Sequence, residues 1–393
     1  MEIMDGNCTQ LSSTTTDSSK IISFLCIKFF AILIQLTGIL LNLFVLYALL
    51  NVKLGSRLTT LLLSNQCIFD CLICTFALLK ILKSERWYTD YIIIDSVLCY
   101  LWFSYTLFWL VVLLSLSNMM CTALDRLGAV VYSRTYQLRQ NIYIILAYTS
   151  IITYSFALIA INPLLLQYRD KKCYDTVIYD KKWIFILMKV DSILWPCLTY
   201  LFPCILTISV YGKVINVLRN STFYRQVSSN RGADDNSNNA NCNRNLSTRQ
   251  IVKLSNKQKR HRKIAQSLTI ATCIMQSVFL ITHSYDRIYY FLGIHQWISY
   301  QIGCTTHLFG LWLVTLNSCI NPSALIFTIR PLQVYLIQTI NYYCCTCSQK
   351  LSLTIPTICP SEHSETHLSK NELEIRTSRI VSQSSTISRK TSI

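Results

Sequence analysis

Charge is what this chain has least of. Only 14% of its 393 residues are Asp, Glu, Lys or Arg, well below the roughly one quarter of a soluble domain, so a water-soluble globule is excluded. Residues 1–20 are polar, with no apolar h-region and no small-residue cleavage site, so the first apolar stretch is expected to act as its own insertion signal. There is no internal repeat and no matched pair of Gly/Pro-interrupted helices, which argues against a transporter. A membrane enzyme would need a nucleophile–base pair or a metal cluster at depth; no His-Glu-x-x-His exists, and no second histidine stands at helical spacing from His283.

Seven long apolar stretches fill the middle of the chain, at about 22–50, 58–82, 96–128, 141–165, 184–217, 263–292 and 301–329. Hydrophobic residues make up 52% of the sequence. A helix needs about 20 mostly apolar residues to cross a bilayer of roughly 30 Å. Lipid offers no hydrogen-bond partners, so each crossing must satisfy its backbone internally as a helix. The fold class is therefore an all-α membrane protein, a seven-transmembrane helix bundle. Many of the 18 cysteines lie inside apolar stretches, where a thiol behaves as a small hydrophobe.

The net charge of +17 could signal a nucleic-acid binder, but its distribution excludes nucleic acid as a partner. Lys53 and Arg57, Arg134 and Arg139, and the run Lys257-Gln-Lys-Arg-His-Arg-Lys263 sit in alternate loops. Alternate loops share a face, and the positive-inside rule makes that face cytosolic. The N-terminus is then extracellular, the C-terminus cytosolic, and the protein a multi-pass component of the plasma membrane. An ion channel of the insect odorant-receptor kind has the opposite topology. The basic run reads as a solvated stop-transfer flank, compatible with contact to anionic lipid or a cytosolic partner.

The flanks divide accordingly. Residues 1–21 form a Ser/Thr-rich head with a glycosylation acceptor at Asn7-Cys8-Thr9. Residues 218–262 form a long cytosolic loop. Residues 330–347 hold a short amphipathic eighth helix and then Cys344, Cys345 and Cys347, candidates for palmitoylation at the membrane surface. Residues 348–393 are a polar tail, expected to be disordered, ending in Thr391-Ser-Ile393, a pattern that suits a PDZ protein.

Ionisable residues at membrane depth default to functional hypotheses. Asp70 lies mid-way along the second stretch, Asn42 is central in the first, and the third carries Ser115 and ends in Asp125-Arg126. Ser115 and Arg126 are three helical turns apart and share a face, as do Asn317 and Asn321. One interior polar seam follows, either interhelical glue or a hydrated cation site around Asp70.

Several motifs fall in a telling order: Gly38-x-x-x-Asn42-x-x-Val45, Asp70, Asp125-Arg126-Leu127, Pro203 with Tyr211, and Asn317-Ser-x-x-Asn-Pro322. In this the chain resembles the rhodopsin-like (class A) G-protein-coupled receptors over about 22–345. The resemblance implies a disulfide between Cys99 and Cys173. It implies a sodium pocket of Asp70, Ser115, Asn317, Ser318 and Asn321, the one cofactor-like group expected. It implies a switch in which Asp125 holds Arg126 at rest, with Tyr211, Asn321 and Pro322 taking part. A heterotrimeric G protein and arrestin are the implied cytosolic partners.

The chain also departs from that family's pattern. The seventh-helix motif ends in Leu325 where tyrosine is usual, and the sixth helix carries His283 and Tyr285 where tryptophan and proline are usual. The fourth has Thr153 or Tyr154 in place of tryptophan, and Cys99 to Arg126 is two residues longer. Counting back from Arg126 puts Phe108 in the ligand-facing slot; counting from Cys99 gives Thr106. Phe108 is preferred because the same count brings Ser115 to the sodium-site position.

Neither slot is acidic, which disfavours amine ligands, and Thr315 stands where a retinal-binding lysine would be. Asp191, Trp195, His283, Asp286, Arg287 and His307 gather in the outer half. Asp286 and Arg287 form either an internal ion pair or an interhelical bridge, or else part of a polar socket for a peptide. The expected ligand-binding set is Phe108, Trp195, His283, Asp286, Arg287 and His307. A second outer bridge, Cys8 to Cys304, is a further expectation.

Overall fold

The computed structural model describes residues 18–352, apart from 53, 55, 84–87, 90, 170, 176–181, 232–244, 296 and 299–304. Among the described residues, seven helical spans are long and apolar enough to cross a membrane. The first is α1, Ser18–Asn51, and the second α2, Arg57–Leu82. Ser56 caps α2, its hydroxyl accepting the Thr59 N–H at 3.1 Å, which satisfies one of the donors a helix start leaves open. The third crossing is α4, Thr106–Val131, preceded by the short α3, Ile92–Val97, and a π-helical stretch, Leu98–Phe103. After α5, Ser133–Leu138, comes the fourth crossing, α6, Gln140–Ile159. The fifth is α7, Lys182–Pro196, continued through a π-helical turn into α8, Phe202–Arg231. The sixth and seventh are α9, Asn245–Ile294, and α10, Thr305–Thr328; α11, Arg330–Ser352, follows.

The crossing helices turn many large apolar side chains outward: Leu40 is 68% exposed, Ile145 68% and Ile281 74%. Such a surface belongs against lipid, since soluble monomers rarely expose apolar patches beyond a few hundred Å². The interior is filled from the centre. In α4, 72% of the apolar window is buried, against 22% for α1 and α6, so α4 is the axis on which α2, α6, α8 and α9 pack.

Several boundaries differ from the sequence reading. The third crossing is not one helix over 96–128: the chain breaks at Ser104 and Tyr105, where Tyr105 takes a left-handed φ of 61°. Asn162 holds the break by donating to Ser104 O at 3.2 Å and Thr106 Oγ1 at 2.9 Å, and Lys80 donates to Trp102 O. The fourth stops at Ile159, ahead of a 3₁₀ turn at Asn162–Leu165, because Pro163 disfavours helix in the residue before it. Pro196 removes a backbone donor where the π-helical turn begins. The long loop is helical at both ends, α8 running to Arg231 and α9 starting at Asn245. Residues 245–292 contain no Gly or Pro, so nothing interrupts the helix. α1 likewise starts at Ser18, inside the expected head.

The all-α reading has one local exception. Strands β1, Leu166–Arg169, and β2, Lys172–Asp175, pair antiparallel in the second outer loop. The Cys99–Cys173 disulfide ties this hairpin to the start of the third crossing, with Cα atoms 5.6 Å apart.

By internal contacts the chain divides into Met1–Thr339 and Ile340–Ile393. The first holds the bundle and the opening turns of α11, where Leu332 and Leu336 are buried and Val334 and Ile337 exposed. The described part of the second is the rest of α11. Asn7, Cys8, Cys304 and Thr391–Ile393 lie outside the described residues, as do the side chains of Cys344, Cys345 and Cys347.

Candidate functional site

Polar residues collect at three levels of the bundle. At the outer level a cavity opens between α4, α7, α9 and α10, lined by Tyr105, Trp109, Asp191, Trp195, Asp286, Tyr290 and His307 among others. Its enclosed free volume is about 40 Å³, room for a water or two. The Arg287 guanidinium lies 5.0 Å from the ring centres of both Trp109 and Trp195, a cation–π sandwich. Its Nη1 is 3.5 Å from Asp286 Oδ2, with both side chains buried. Tyr290 donates to Asp191 Oδ2 at 3.0 Å, and His307 meets Tyr105 edge-on at 5.3 Å. The internal Asp286–Arg287 pair is thus present, and Asp286 also faces the cavity.

Trp195, Asp286 and His307 of the expected ligand set line this cavity, whereas Phe108, His283 and Arg287 do not. Phe108 packs behind it against Trp109 at 5.4 Å. His283 is 1% exposed and stacked on Phe279, its Nδ1 donating to the Phe279 carbonyl at 3.1 Å. Trp109, Tyr105 and Tyr290 were missed by sequence reasoning. Trp109 follows Phe108 directly and belongs to the same outer turn of α4, a signal that was available.

α4 is unbroken from Thr106 to Val131, so Phe108, Ser115 and Arg126 lie on one continuous helix and the irregular turn at Ser104 and Tyr105 precedes all three.

At the middle level Asp70 is fully buried. Gln66 Nε2 donates to its two oxygens at 3.1 and 3.2 Å, Ser115 Oγ to Oδ1 at 3.3 Å, and Asn321 Nδ2 to Oδ2 at 2.8 Å. Asn42 bridges α1 and α10 by donating to Gly38 O and Ser318 O, each at 2.9 Å. Oxygens suited to a hard cation stand nearby: Asn317 Oδ1 and Asn321 Oδ1 are buried without a protein donor among the described residues. The carboxylate is not open to an ion, however. An ionised carboxylate has about four acceptor directions, and protein donors fill them. The residues, as arranged, do not fit sodium at Asp70.

At the inner level Asp125 and Arg126 form an ion pair, both buried. Thr59 Oγ1 donates to Asp125 Oδ2 at 2.7 Å, and the Tyr136 hydroxyl donates to Oδ1. Ser56 Oγ stands 2.9 Å from that hydroxyl. Burial, then the neighbouring Asp125 charge, pushes the Tyr136 phenol above its ordinary pKa, so it remains a donor at neutral pH. Tyr211 is buried in an apolar cluster with Ala123, Val210 and Val214, and Pro322 lies inside α10 one residue past Asn321. Tyr136 carried no motif to single it out; the loop helix α5 brings it under Asp125.

Residues 41–324 match the model of the 7 transmembrane receptor (rhodopsin family), and the chain belongs to that family. Its members are signalling receptors of the plasma membrane rather than enzymes, and in general they serve an extracellular ligand and a G protein. No curated protein matches the chain.

Proposed function

We propose that the chain is a receptor for an extracellular peptide that promotes nucleotide exchange on a heterotrimeric G protein. The observation that carries this reading is the pairing of two polar ends on one central helix. At the outer end of α4, Trp109 borders a cavity that also holds Asp191 and Asp286. At its inner end Asp125 and Arg126 are locked to Thr59 and Tyr136. A ligand can bias such an element only by binding its two arrangements unequally.

Two carboxylates and a wall of aromatic rings suit a peptide with a basic residue, such as an amidated neuropeptide. The small free volume means that the ligand enters by displacing the Asp286–Arg287 pair or seats at the mouth. Arg126 is the group released toward the G protein, and Tyr211 steadies the open arrangement. The N-terminus is outside and the C-terminus inside, with Asn7 glycosylated and Cys344, Cys345 and Cys347 acylated. The tail serves arrestin and a PDZ protein.

A peptide-library screen with second-messenger readout, in cells expressing the chain, tests the reading. With the agonist so found, Asp286→Ala lowers potency at least tenfold, about 1.4 kcal/mol. Unchanged potency at normal surface expression removes Asp286 from the site.

A further inference from the structure

We propose that the carboxamide of Gln66 takes the place of a cation at Asp70, a tethered donor that closes the centre of the bundle to sodium. Gln66 and Asp70 are four residues apart on α2 and lie on one helix face. Both are buried, at 2% and 0% exposure. Gln66 Nε2 faces both carboxylate oxygens, at 3.1 and 3.2 Å, and Ser115 Oγ at 2.6 Å. That position, in front of the two oxygens, is the one a bidentate hard cation takes.

The direction of the amide is fixed at its other end. Gln66 Oε1 accepts from Asn118 Nδ2 at 2.9 Å, and Asn118 also donates to Leu62 O at 2.9 Å. Turned over, the amide would set its oxygen against the Asp70 carboxylate and its N–H groups against the Asn118 donor. A single polar sense therefore runs from Leu62 O through Asn118 and Gln66 to Asp70. An ion reaches the carboxylate only by expelling a side chain anchored to α2, leaving the amide buried without its acceptors, a costly state in a dry interior. The α2–α4 link made by Gln66 is then indifferent to the salt around the receptor.

The test uses the full chain purified in detergent and sodium itself as the probe. Its melting temperature is compared in NaCl and choline chloride at equal ionic strength, about 0.15 M, where exposed charges are screened alike. Wild type is expected to differ by less than about 1 °C between the salts. Gln66→Leu opens the carboxylate, and sodium raises its melting temperature by about 2–4 °C. Asp70→Asn added to Gln66→Leu removes that gain. Gln66→Met, closer in length, serves if the leucine variant does not fold. A sodium-specific gain of 2 °C or so in wild type overturns the proposal alone, whichever variants fold. Folded Gln66→Leu or Gln66→Met variants no more responsive than wild type also overturn it. Neither readout depends on a ligand or a G protein, so the proposed receptor function stands or falls separately.

Discussion

At Gly38 α1 packs closely against both α2 and α10, and replacing it by alanine is a quantitative test of the packing. A Cβ at this position would lie 2.6 Å from Cys319 Sγ on α10 and 2.8 Å from Cys74 Sγ on α2. Comfortable contacts are about 3.5–4.0 Å, so both sulfurs must retreat. They have little freedom to do so: Cys319 Sγ donates to Ile34 O at 3.4 Å, and the two sulfurs are 3.8 Å apart. Overpacking of this kind costs about 1–3 kcal/mol, and a clash on two helices belongs near the upper end. Alanine regains about 1 kcal/mol of helix propensity, so the clash wins by about 2 kcal/mol. At about 2–4 °C per kcal/mol, Gly38→Ala lowers the melting temperature of the solubilised receptor by roughly 4–8 °C. Cys319→Ala removes the nearer sulfur, so the double variant should lose less than the sum of the two singles, by about 1 kcal/mol. A Gly38→Ala protein as stable as wild type, or strict additivity in the cycle, would refute the close approach of α1 to α2 and α10.

Three further outcomes follow from single contacts. Tyr136→Phe removes a hydrogen bond to the Asp125 carboxylate, worth about 1.5–3 kcal/mol, and should raise ligand-independent signalling by about tenfold; unchanged basal signalling would show that the bond persists in the open state. Arg287→Lys replaces a planar group between two indoles by a compact ammonium and should lower the melting temperature by about 2–4 °C at about 1 kcal/mol lost; an unchanged value would mean the sandwich carries no stability. Cys173→Ser frees the outer hairpin from the π-helical stretch that precedes α4, a change worth about 2–4 kcal/mol, and should abolish surface-expressed agonist binding; full binding to intact cells would contradict a structural role for the tie.

The seven crossings were legible because hydrocarbon imposes a simple rule on sequence: a run of about 20 apolar residues, each run a helix. The seam of Asp70, Ser115 and Asn321 was legible for the same reason, since polar groups at depth must face one another, and these three do meet. The break before α4 was not. A left-handed residue is usually announced by Gly or Asn, and Tyr105 announces nothing; tertiary partners on α2 and beyond α6 hold it there. The reach of α9 into the loop between the fifth and sixth crossings was hidden by composition, because Asn- and Ser-rich sequence reads as loop even where no helix breaker occurs. Gln66 was not singled out: it stands one turn from Asp70, but spacing alone does not say which end of an amide faces a carboxylate. That took the position of Asn118 on a different helix.

Receptor function in this chain requires the polar outer cavity to be coupled through α4 to Arg126. Agonist-stimulated nucleotide exchange on a panel of purified heterotrimeric G proteins, measured in membranes carrying wild type or Arg126→Ala, tests that coupling directly. Wild type is expected to drive exchange on at least one heterotrimer, and Arg126→Ala to lose it while binding agonist. Exchange by Arg126→Ala at the wild-type rate, or agonist binding by wild type with no exchange on any heterotrimer, would contradict it.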